Sequence, residues 1–131
     1  VFDFLLFVHV LSAFFLVAMV VMYSSFALGG PAPQPAVTVA QVLDGIGGAG
    51  TIIFGVWLAL YVNGYELWDG WILAAIVLWA AAAETGRRAH AALLPSVGGG
   101  AAIDPVMIRW HLIRAALIVL LLADMIFKPG A

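Results

Sequence analysis

Few side chains in this sequence can do chemistry: five Lys+Arg, seven Asp+Glu and three His among 131 residues. Asp44, Glu84, His111 and Arg114 lie inside long apolar runs instead of between them. Two acids and a guanidinium at matched heights in an apolar medium have two uses. They can neutralise one another as an ion pair that fixes helix register, or they can carry a proton or ion or hold a charged headgroup. His9 and Asp124 form a second candidate pair toward the other end of their runs. A carboxylate that accepts the free N–H of a histidine orients it as a ligand, and a neutral histidine can equally bridge two helices by hydrogen bonds. His9 and His111 approach from opposite ends, at heights that differ by roughly 8–10 Å at 1.5 Å per residue. That separation argues against a haem held by both and leaves His9 alone as a candidate haem ligand. No nucleophile stands beside a base, no two histidines are spaced to share a metal, and no glycine loop precedes a helix to cradle phosphate. No catalytic residue and no metal ligand is assigned.

The elements that must position these groups follow from composition. The chain is 66% hydrophobic and 9% charged, with a mean hydropathy of +1.16. A soluble domain carries about 25% charged residues, so this chain cannot cover a water-facing surface and belongs in a membrane. A net charge of −2 gives no basic face for nucleic acid. The absence of cysteine excludes disulfides and thiolate sites.

Crossing about 30 Å of hydrocarbon takes about 20 apolar residues of helix. Four runs meet that need, at approximately 2–28, 37–62, 71–93 and 105–127. Gly29, Gly30, Pro31, Pro33 and Pro35 end the first. A polar turn at 63–70 separates the second from the third, and Pro95 with the glycines at 98–100 stops the third. Asp104–Pro105 supplies an N-cap and a first-turn proline for the fourth, which Lys128–Pro129–Gly130 closes. The second run reads as one helix despite Asp44 and its glycines; the alternative is a short surface helix at 38–44 with a span from about Gly47. The first run lacks the basic start and cleavage site of a signal peptide and reads as a structural helix. The expected fold is an all-α membrane protein, a single four-helix domain over 1–131 with short loops.

Helical rise places Arg114 roughly 14 Å from the start of the fourth span, Glu84 roughly 13 Å from the end of the third, and Asp44 roughly 10 Å from the start of the second. The three thus share one layer, with His111 a turn from Arg114. Arg87, Arg88 and Arg109 outnumber Lys128, so the 87–104 connection is expected in the cytoplasm and both termini outside the inner membrane. Trp68, Trp71 and Trp110 suit interfacial belts, whereas the deeper Trp57 and Trp79 need partners for their N–H groups. Phe4, Phe7, Phe14 and Phe15 read as lipid-facing or packing surface. Gly45 with Ala49, and Gly47 with Thr51, are small pairs that permit close helix contact.

Several stretches resemble one family: His9–Val10–Leu11–Ser12–Ala13, Gly55–Val56–Trp57–Leu58, Asn63–Gly64–Tyr65, Asp69–Gly70–Trp71–Ile72, Arg109–Trp110–His111 and Phe127–Lys128–Pro129–Gly130. They look like a bacterial family of predicted integral membrane proteins of unknown function, distantly similar to CopD membrane domains and HemJ-type protoporphyrinogen oxidases. The HemJ-like resemblance implies a four-helix bundle with haem b on a first-helix histidine, which His9 matches. It also implies an arginine later in that helix and a lysine after a third-helix tryptophan. Here the first span has no arginine, and Glu84 follows Trp79 where the lysine is sought. The expected role is a non-catalytic accessory subunit of a larger membrane complex, with lipids and another subunit or a second copy as partners. A haem b-binding redox protein using His9 is the first alternative. A small transporter or channel using the Asp44–Glu84–Arg114 layer is the second.

Overall fold

The computed structural model describes residues 2–29, 32–62, 70–99 and 102–127. Helices account for 94% of these residues, with no strand among them. Helix α1 is Phe2–Ala27 and α2 is Gln34–Trp57, which a π-helical turn extends over Leu58–Val62. Helix α3 is Gly70–Leu93, followed by a 3₁₀ stretch Leu94–Gly99, and α4 is Pro105–Phe127. The polar turn expected at 63–69, Trp68 and the stop at 128–130 lie outside the described residues.

Local chemistry sets the ends. Asp104 accepts the Val106 N–H at 2.9 Å through its side chain, and Pro105 opens α4 where its missing N–H costs nothing. Helix α2 starts three residues ahead of the expected Val37. Pro33 is extended there, and Pro35 fits the first turn for the same reason. It then runs unbroken past Asp44, so no separate surface helix forms at 38–44.

Glycine brings α1 against α2. A Cβ on Gly47 would stand 2.9 Å from Leu16 N and Ser12 O, one on Gly50 would collide with Ser12, and one on Gly55 would stand 2.8 Å from His9 Cε1. The pairings 16 with 47, 12 with 50 and 9 with 55 make the two helices antiparallel. Helices α3 and α4 form a second antiparallel hairpin, in which Gly86 makes room for Arg114 and Arg88 lies over Trp110. Close backbone approach is concentrated within these hairpins and is sparse between them. The seam between hairpins is bridged by side chains, by the Trp79 N–H bonded to Gly48 O at 3.0 Å, and by Gly98 N bonded to Ala32 O at 2.9 Å. The last bond ties the α1–α2 and α3–α4 connections together, and this is called the loop end below. The start of α1 and the finish of α4 form the terminal end. The larger apolar core fills the loop end around Met19, Phe26, Val37, Leu93 and Met107, whereas Ala59, Trp71 and Ile72 make a small cluster at the other.

The outside is apolar. Phe4, Phe7, Phe14, Val21, Ile46, Val77 and Val119 are all more than half exposed. Three helices are long and apolar enough to cross a membrane: α1, α2 and α4. Helix α3 falls short of them in apolar character because its second half carries Glu84, Arg87 and Arg88 outward.

Candidate functional site

At the loop end, polar side chains from both hairpins meet. Arg114, 1% exposed, extends from α4 into the space that Gly86 leaves, with its Cζ 4.3 Å from the centre of the Tyr23 ring. A cation over a desolvated aromatic face is held by the ring quadrupole. Its NH2 donates to His111 Nδ1 at 2.9 Å. Arginine has no acceptor, so Nδ1 must accept, which leaves the proton of the neutral ring on Nε2. Nε2 lies 2.8 Å from Ser24 Oγ, and that hydroxyl donates onward to Val20 O at 2.7 Å. Every step then has one donor and one acceptor: Arg114 to His111 to Ser24 to the α1 backbone. Tyr23 stacks on His111 at 6.0 Å and meets His90 Nδ1 through its hydroxyl at 2.9 Å. Asp44, on α2, completes the set as the carboxylate in electrostatic reach of Arg114, Tyr23 and His90.

The expected Asp44–Glu84–Arg114 layer is therefore corrected in one member. Arg114 and His111 bond one another with Asp44 half-buried in electrostatic reach of Arg114, but Glu84 is turned away. Its carboxylate binds Arg87 at 2.6 Å and Arg88 at 2.9 Å on the outer face of α3, and these are the ion pairs among the described residues. The height of Glu84 suited Arg114; its direction did not. The inward stripe of α3 is Ala82, Thr85, Gly86, Ala89 and Leu93, and Glu84 stands on the opposite flank. Tyr23, Ser24 and His90 were missed as members of the cluster. The signal for two of them is the adjacent polar pair Tyr23–Ser24 inside an otherwise apolar stretch.

The terminal end is arranged differently. His9 packs its ring edge on Gly55 beside the Thr51 carbonyl, and its Nδ1 is buried with no hydrogen-bond partner. Asp124 is buried, and its Oδ2 also lacks a partner. No His9–Asp124 ion pair forms, so the expected second pair is corrected as well. The Thr51 hydroxyl, 1% exposed, is a third such group. His9 and Thr51 line a cavity of about 470 Å³ bounded by all four helices, whose other lining residues are apolar or aromatic, Trp71 and Met125 among them.

Of the remaining expectations, Trp79 has its partner in Gly48 O, and Trp57 is half-exposed and stacked on Phe54. Gly47 and Thr51 face α1, while Gly45 and Ala49 face outward. Comparison of the chain with protein-family models, curated proteins and solved structures gives no match.

Proposed function

We propose that the chain crosses a bacterial inner membrane four times, α3 included, and serves there as a non-catalytic accessory subunit packed beside a larger membrane complex. The observation that carries this reading is an inversion of the soluble pattern. The outer faces are apolar, and the polar side chains of the loop end are occupied with one another across the hairpin seam. A buried arginine so enclosed helps to hold two hairpins in register. For α3, the stretch from Gly70 to Ala83 covers roughly 20 Å. Glu84 offsets part of the charge of Arg87 and Arg88, and such long side chains reach for the interface where Trp110 lies. With these arginines at the loop end, that end faces the cytoplasm.

Haem b, which the family resemblance implies for His9, does not fit the residues present. Its two propionates need cations, and among the described residues no cationic side chain lines the His9 cavity.

The chain has no cysteine, so single cysteines report sidedness without background. Asp3→Cys and Gly70→Cys are expected to react with an impermeant maleimide from outside only, and Ala102→Cys from the cytoplasm only. Labelling of Gly70→Cys and Ala102→Cys from the same side refutes the crossing by α3. After mild extraction, native electrophoresis is expected to show the 13.8-kDa chain in a larger assembly at fixed ratio. Migration as the isolated chain under every mild detergent refutes the accessory role.

A further inference from the structure

The unmatched polar atoms of the terminal end call for an explanation, because two of them belong to residues that line one cavity. His9 Nδ1 and Thr51 Oγ1 are buried without partners, and both residues line the same cavity of about 470 Å³. A buried hydroxyl and a buried ring nitrogen left unmatched cost stability, and a purely structural helix contact would be better served by valine and leucine. The cavity is concave, mostly apolar and furnished with a small number of convergent polar groups, the usual build of a small-molecule site.

Its mouth tells where the occupant comes from. Leu6, Val10, Phe14 and Val17 of α1 and Ile126 of α4 line the cavity and are also exposed on the flank of the bundle. The opening therefore lies on the apolar outer surface between α1 and α4, where the two hairpins approach one another sparsely. A molecule entering there arrives from the bilayer. It is neutral, because among the described residues no charged side chain lines the cavity. It bears a hydrogen-bonding oxygen, because an acyl chain has no use for His9 or Thr51. It is compact enough at one end to sit among Trp71, Ile72 and Ala75, with room for a tail to leave through the mouth.

We infer that the His9–Thr51 cavity binds the head of a lipid-soluble quinone, with a ring oxygen facing the imidazole and the threonine hydroxyl and the isoprenoid tail running into the membrane. This goes beyond the accessory role and stands without it.

The test uses the full chain in phosphatidylcholine nanodiscs titrated with decylubiquinone and followed by tryptophan fluorescence. Saturable quenching at one quinone per chain is expected. His9→Phe is expected to weaken binding about tenfold, the loss of a hydrogen bond and its site shape. Thr51→Val should weaken it several-fold, and Thr51→Ser, which keeps the hydroxyl, should retain it. Leu122→Trp, which fills the cavity and leaves both polar groups intact, should abolish it while helical circular dichroism is unchanged. Quenching that never saturates, or that is equal in the native chain and His9→Phe, overturns the inference. Displacement by hexadecane as effective as by a second quinone makes the cavity an acyl-chain slot and overturns it too. So does a Soret band on adding hemin that His9→Phe removes and decylubiquinone does not reduce.

Discussion

The two ends of the hairpin seam solve the same problem in opposite ways. At the loop end, most polar side chains answer one another: Tyr23 meets His90 and Arg114, Ser24 meets His111 across the seam, and Arg114 bonds His111 on its own helix, with Arg114 Nε left without a partner. At the terminal end, His9, Thr51 and Asp124 are buried with atoms left over, beside a cavity. Matched polar groups in an apolar medium lock helices together. Unmatched ones are tolerated where something else completes them. The difference separates the part of the bundle that holds from the part that receives.

Four tests, using six substitutions, break or sharpen that contrast. Arg114→Leu should have the largest effect, about 3–5 kcal/mol, because Tyr23 loses a desolvated cation over its ring and His111 its charged donor. Thermal unfolding in detergent followed by circular dichroism measures it, and a loss below that of the other variants would remove the loop end's claim to be the lock. Gly47→Ala should cost about 1–3 kcal/mol, since its Cβ meets the backbone at Leu16 N and Ser12 O, which cannot swing aside. Gly45→Ala, facing outward into open space, should be neutral or slightly stabilising in the same assay. The third test pairs the two ends. Ser24→Ala strips His111 of its acceptor and should cost about 1–3 kcal/mol, whereas Thr51→Val removes a hydroxyl that has no partner and should leave stability unchanged or raised. Equal losses from both would erase the distinction between the ends. Glu84→Gln should be the smallest, with no measurable change in unfolding, because its ion pairs lie on the outer face of α3.

What could be read from the sequence was height. Counting 1.5 Å per residue put Asp44, Arg114 and His111 at one level, where Arg114 bonds His111 and Asp44 lies in electrostatic reach. The helix ends also followed from Asp104–Pro105 and from the glycines and prolines near 29–35. Azimuth was harder. Glu84 shares the level of Arg114 but points the other way, and its own arginines three and four residues on were the better guide to its partner. The small residues of α3 at 82, 85, 86 and 89 mark its inward stripe, a pattern that weighs little when a charged residue beside it draws the eye. The pairing of hairpins was unreadable for a physical reason. Gly47 and Gly50 permit a close neighbour, but a missing side chain does not say which helix will arrive. His9 was singled out, but Thr51 reads from the sequence only as the small partner of Gly47, because a lone hydroxyl in an apolar run is ordinary until its lack of a partner is seen.

The arginine at the seam sits in the fourth of the four helices. Synthesis runs from α1 toward α4, so Tyr23, Asp44 and the slot at Gly86 are all present before Arg114 emerges. A nascent chain thus never carries that guanidinium ahead of the groups that shelter it, and its arrival closes the second hairpin and joins it to the first.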